Sequence, residues 1–279
     1  MRLLALVALT GVLVSGCGGS RSESSPSVDA PESSASNSPS PTPAADPPAD
    51  PPADPAVGQC HRLGFDDAAQ PEDDTAAIPC RTAHTSQTVK VGRLDALVAG
   101  AVDTESEALR AKVAAACPTR LLRYAGGSQL DRRLSRLEIV WFLPAPAAVE
   151  AGAGWFRCDI VGVAGADRLI RLPRTTKEAL ETNDALDRFG TCGTKAPGKP
   201  GFERVVCRRT HAWRAVDTVD FDDSTRYLGR AAAARGDTAC KDVAAARADG
   251  ALRYTWSFEW PTRAQWRAGD RYGFCWIPD

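Results

Sequence analysis

A surplus of charge of either sign is missing from this sequence. Its 34 Lys and Arg against 35 Asp and Glu leave a formal charge of −1, so it carries no basic field of the kind that gathers nucleic acid. Histidine is scarce, with three residues in all. Long apolar runs are missing as well: the one candidate, Leu3 to Val14, falls well short of the roughly 20 residues that a spanning helix needs. No Gly-x-Ser-x-Gly elbow, phosphate loop or paired-histidine zinc helix occurs. Between residues 18 and 56 there are no aromatics, which excludes a packed core in that stretch.

What is present at the start is an export signal. One arginine, Arg2, precedes the apolar run, and Ser15-Gly16 then precede Cys17, the layout of a secretory signal with a small-residue cleavage site. Small residues before the cysteine let a processing peptidase reach the backbone, and the thiol is the atom that takes a lipid. Leu13-Val14-Ser15-Gly16-Cys17 therefore reads as a lipobox, with Val14 where leucine is commoner. Residues 1–17 are expected to be the signal peptide, and Cys17 the lipidated residue of a protein held on the extracytoplasmic face of the cell membrane. Residues 18–56 hold ten of the 20 prolines, and Asp46-Pro47-Pro48-Ala49 recurs at Asp50 to Ala53. Such composition predicts a disordered tether, with a reach on the order of 100 Å fully extended and about 35 Å as a coil.

Beyond the tether eight cysteines remain, in a compartment where disulfides persist. They form two sets of the same order: Cys60, Cys80, Cys117, Cys158 and Cys192, Cys207, Cys240, Cys275. Val57-Gly58-Gln59-Cys60 matches Phe189-Gly190-Thr191-Cys192, and Cys80-Arg81-Thr82-Ala83-His84 matches Cys207-Arg208-Arg209-Thr210-His211. Pro144 to Cys158 and Pro261 to Cys275 span the same interval without a gap. The body reads as a tandem repeat, with modules at 57–172 and 188–279 joined by a connecting segment at 173–187.

Each module reads as strand, helix, strand, strand. The first strands are Thr88 to Leu94 and Trp213 to Phe221. The helices run from about Glu105 to Cys117, ended by Pro118, and from about Arg226 to Ala246. The clearest alternation is Leu252, Tyr254, Trp256, Phe258 and Trp260, which predicts a strand with that set in a core and the other face in water. Leu137, Ile139, Trp141 and Leu143 keep the same parity. The fold class expected is α+β: two tandem modules, each a helix packed on a small antiparallel sheet with two disulfides, after the lipid-anchored tether. A helix cysteine can face the last-strand cysteine across such a core, which favours Cys117–Cys158 and Cys240–Cys275, with Cys60–Cys80 and Cys192–Cys207 closing the opening loops. Sequence alone does not fix this connectivity.

A Gly-x-Cys opening, a Cys-x-x-x-His, a helix-borne cysteine and the ending Trp266-Arg267-Ala268-Gly269-Asp270-Arg271 before Cys275 resemble the septum-formation domain family of actinobacterial envelope proteins. The resemblance covers about residues 57–279 and is sharper in the second copy. In the first, Val149, Ala153 and Gly154 stand in place of the Trp, Asp and Arg. The resemblance implies an exported, membrane-tethered protein connected with cell division or envelope biogenesis, and supplies no catalytic residues to carry over.

His84 and His211 are the recurring candidate pair, with Asp270 and Arg271 beside them. A zinc site at these histidines requires free thiolates, which bridges would consume, so no metal and no cofactor are expected. Asp66, Asp67, Asp73 and Asp74 fit no calcium loop and read as a solvated acidic loop. Strand parity puts Trp256 and Trp260 in the core and leaves Trp213, Trp266 and Trp276 open as surface aromatics. The leading expectation is a non-catalytic interaction or scaffold module, not an enzyme, meeting the membrane through its lipid and an envelope, division or cell-wall partner, but no nucleic acid. The alternatives are a wall-directed enzyme using His211 with Asp270, and a small-ligand lipoprotein with its pocket between the modules.

Overall fold

The computed structural model describes residues 53–221 and 226–279. The signal segment, Cys17 and the tether as far as residue 52 lie outside the described residues. The last tether residues are ordered against the body, where Asp54 pairs with Arg93 at 3.0 Å. No helix among the described residues is long and apolar enough to cross a membrane.

The first half contains β1 (Cys60–His61), α1 (Phe65–Ala69), β2 (Ser86–Arg93), α2 (Glu107–Ala116), a 3-10 segment (Thr119–Ala125), α3 (Gln129–Leu134), β3 (Leu137–Phe142), α4 (Pro146–Glu150), β4 (Trp155–Gly165) and β5 (Arg168–Leu169). The second contains α5 (Ala185–Phe189), β6 (Thr191–Gly193), β7 (Arg204–Val206), β8 (Trp213–Asp220), α6 (Ala231–Arg247), β9 (Ser257–Glu259), α7 (Arg263–Arg267) and β10 (Tyr272–Pro278). The result is a mixed α/β body with two antiparallel sheets, ordered β1-β2-β4-β3 and β7-β6-β8-β10-β9.

Strand registers correspond between the sheets. Cys158 lies opposite Lys90 and Trp141, and Cys275 opposite Asp217 and Phe258. Cys60 faces Gln87 and Cys192 faces Arg214. Each central pair is broken by a bulge at the same step: Val89 has no register partner beside Cys158, and Val216 has none beside Cys275. A bulge re-aims a side chain, and here both valines pack into the helix-side cores.

Four disulfides link Cys60–Cys80, Cys117–Cys158, Cys192–Cys207 and Cys240–Cys275, with Cα–Cα distances of 5.3, 5.5, 4.9 and 5.0 Å. These are the pairings favoured by the cysteine order. Closing such loops removes unfolded-state entropy, with a stabilisation of about 3–4 kcal/mol each. Pro118 stops α2 by withholding a donor, and Lys90 Nζ donates to the Ala116 carbonyl at 2.8 Å, placing a cation on the exposed helix end. No proline interrupts α6, which runs longer. It begins at Ala231 rather than near Arg226, following Gly229 in a left-handed conformation (φ 53°). Its Gly236 lets the helix settle directly on Phe258, since a Cβ there would lie 2.1 Å from the ring.

Two expectations about the sheets need correcting. Of the alternating run 251–260, only Ser257–Glu259 is strand: pairing with β10 stops at Ser257, Leu252 is 98% exposed and Trp260 39% exposed. Phe258 is buried as expected, Trp256 half-buried. Period-two patterning specifies a face but cannot supply a neighbouring strand. In the first half the parity of Leu137, Ile139 and Leu143 holds, yet the opposite face is not wet. Phe142 and Trp155 are buried there with Leu63 from the loop that carries α1.

The halves share side chains. Leu180, Ala185 and Phe189, from the connecting segment and α5, complete the first core. Leu134 of α3 packs with Ala215, Phe274 and Trp276 on the outer face of the second sheet. Trp266 and Trp276, which parity left open as surface residues, are buried at 5% and 0% exposure.

Candidate functional site

The paired histidines make equivalent local bonds. His84 Nδ1 donates to the Thr82 carbonyl at 2.8 Å, and His211 Nδ1 to the Arg209 carbonyl at 2.6 Å. In each case the acceptor lies two residues back, so the ring staples its own turn. His84 is buried. His211 Nε2 meets Asp279 Oδ2 at 2.5 Å, and Arg214 bridges Asp279 and Asp187 at 3.0 and 2.9 Å. The Arg214 hydrogen bond, with that from His211, holds the Asp279 carboxyl below the usual carboxylate range. Both His211 ring nitrogens thus face acceptors. Its expected acid, Asp270, sits before β10 while Asp279 follows it, so about 20 Å of strand separates them. The structure does not bring His211 and Asp270 together.

Cys192 Sγ lies with His211 and Asp279 within a metal-sized cluster of 4.8 Å. That sulfur is bonded to Cys207 and offers no thiolate, so the donor set does not fit a zinc ion.

Asp270 and Arg271 serve different places. Thr262 and Gln265 form a capping box that starts α7, Trp266 buries against Tyr227, and Gly269 turns the chain at φ 95°. Arg271 then stacks on the Trp266 ring at 5.7 Å, while Asp270 points into a cleft between the two halves.

This cleft, about 380 Å³ in volume, is walled by α3, β3 and the 3-10 segment of the first half and by β7, β9 and the α7–β10 corner of the second. Arg120, Arg123, Arg132, Arg133, Arg136 and Arg204 line it against Glu138, Glu259 and Asp270. Arg133 is fixed by Asp220 at 2.7 Å and lies over the Tyr272 ring at 4.3 Å. Arg204 meets Glu259 at 3.0 Å and covers Phe274. Arg136 Nε donates to the Val163 carbonyl at 3.0 Å. Burial pulls the Arg136 guanidinium below its ordinary range, against the opposing pull of Glu138. Burial raises the Asp270 carboxyl, opposed by Arg133 and Arg204, and pushes the Tyr272 phenol up to about 12.

The sequence reading missed a second polar cluster, sealed inside the first half. Arg157 pairs with Asp73 and, at 3.3 Å, with Asp159, its guanidinium lying over the Phe142 ring at 4.8 Å. Ser86 Oγ donates to Asp159 at 2.5 Å. Burial and Arg157 lower the His61 pKa. Asp73, expected in a solvated loop, is 7% exposed, because the loop folds its carboxylate onto Arg157; Asp66, Asp67 and Asp74 are exposed as expected. The available signal was a pair of opposite charges flanking Cys158 in an otherwise apolar strand.

The family model described as septum formation matches residues 57–275. The chain belongs to the septum formation family. No curated protein and no solved structure matches it. The match takes in both halves, all four disulfides and both walls of the cleft, and ends before Asp279, so the His211–Asp279 pair is not wholly within the septum formation region. Membership suggests a part in cell division or the envelope.

Proposed function

We propose that this septum formation family member is an exported lipoprotein, anchored through Cys17 on the extracytoplasmic face of the cell membrane. It acts there as a non-catalytic interaction or scaffold module in septum formation or envelope biogenesis, its body a duplicated module raised on the Pro-rich tether. The observation that carries the non-catalytic reading is the disposition of the candidate residues: His211 is tied to Arg209 and Asp279, and Asp270 lies at the far end of the same strand. An enzyme would gather base, acid and nucleophile around one cleft. The shared strand order, register, bulge and disulfide pattern support the duplication, and the signal-plus-lipobox pattern supports the anchor.

Complementation of a deletion strain tests this reading. Cys17→Ala is expected to leave the membrane fraction and lose function, whereas His211→Ala, if it folds, complements like the wild type. A folded His211→Ala protein that fails to complement contradicts the non-catalytic reading.

The polar cleft favours a second reading, of a lipoprotein that recognises a small ligand between its halves.

A further inference from the structure

Several charged groups in the inter-module cleft, Arg136 and Asp270 among them, have no ion-pair partner among the described residues. Arg133 and Arg204 are already neutralised by Asp220 and Glu259. Among the described residues, by contrast, no carboxylate comes within ion-pair distance of the Arg136 guanidinium, whose one bond is the Nε donation to Val163. Among the described residues no side-chain donor reaches the Asp270 carboxylate, and its backbone amide is bonded to the Gln265 carbonyl. Both side chains are half-buried, so each charge is partly withdrawn from water with no opposite charge in ion-pair contact, which costs free energy. Both line one cavity of about 380 Å³, within the size range of small-ligand sites.

We propose that the cleft binds a small zwitterion of the amino-acid or short-peptide class, its carboxylate taken by the Arg136 guanidinium and its amine by the Asp270 carboxylate. This rests on the reading of the protein as a non-catalytic binding module. The planar guanidinium fork matches a carboxylate in two parallel hydrogen bonds. A plain anion would satisfy Arg136 and be repelled by Asp270; a plain cation would meet the reverse. Tyr272, held beneath Arg133 and protonated throughout the physiological range, supplies a further hydroxyl donor at the wall. Arg120 and Arg123, exposed at the rim, attract the anionic end on approach.

The test uses the full-length protein in detergent and ligand-observed NMR with alanyl-alanine, its C-terminal amide, its N-acetyl form and inorganic phosphate. Alanyl-alanine is expected to bind saturably, and blocking either end to weaken it at least about tenfold. Arg136→Gln should reproduce the effect of the amide. Asp270→Asn should weaken the free dipeptide while leaving the N-acetyl form unchanged. Should Arg136→Gln fail to fold, Asp270→Asn with the two blocked peptides carries the test alone. Absence of saturable dipeptide binding to the folded wild type overturns the proposal, as does binding indifferent to both blocked ends or displaced equally well by phosphate. Complementation by folded His211→Ala tests the non-catalytic reading independently, so failure of the ligand is distinguishable from failure of that reading.

Discussion

At Asp270 a carboxylate is held partly out of water with no donor beside it, and the sign of its effect on stability follows directly. Its folded pKa is raised, so any contribution to stability is present below the unfolded value of about 3.9 and lost as pH rises through the folded value. At neutral pH the charge therefore opposes folding. Asp270→Asn is expected to raise Tm at pH 7 by a few degrees, on the order of 1 kcal/mol, with the gain vanishing in scans below about pH 4. His61 behaves in the opposite sense. Its folded pKa is depressed by burial and by Arg157, so the unfolded chain takes up the proton first and stability falls as pH drops below about 6.5. Denaturant titrations between pH 7.5 and 5.5 should show that loss in the wild type and a flatter dependence in His61→Gln. The equivalence of His84 and His211 was legible, since each lies four residues after its cysteine; that each bonds within its own turn was not. Asp73 was not: a carboxylate in a polar loop gives no sign of the arginine, 84 residues away, on which it closes.

Among the elements, α3 decides how the halves meet. Its Leu134 is 3% exposed among Ala215, Phe274 and Trp276, while Arg133 on the same helix reaches Asp220. Leu134→Ala leaves a cavity in that contact and should cost about 2–5 kcal/mol, read as a lowered midpoint in chemical denaturation with the disulfides intact. The helices α2 and α6 and strands β3, β4, β8 and β10 were readable from periodicity, proline and cysteine position. The short strand β9 was overread, because Leu252 and Tyr254 continue its alternation without a partner on β10. The double burial of the first sheet was hidden for a different reason. Its second cover is an irregular loop, and loops carry no period.

For the whole molecule, eight cysteines in two ordered sets made the two-sheet body and its bridges legible, because a disulfide binds distant sequence positions together in a way that spacing records. A pocket between the modules was among the expectations, but its residues were not legible. Arg133 and Arg136, Arg204, and Asp270 come from three separate stretches of the chain, and only the packing of α3 on the second sheet collects them. The anchor and tether are proposed from the sequence pattern alone, and so is the address outside the membrane that they imply. The most direct measurement is therefore imaging of a C-terminal fusion to a fluorescent protein that matures outside the cell membrane, followed through division beside its Cys17→Ala counterpart. The account predicts enrichment at the septum that is lost or blurred without the lipid. A signal spread evenly around the envelope, unchanged by Cys17→Ala, would contradict it.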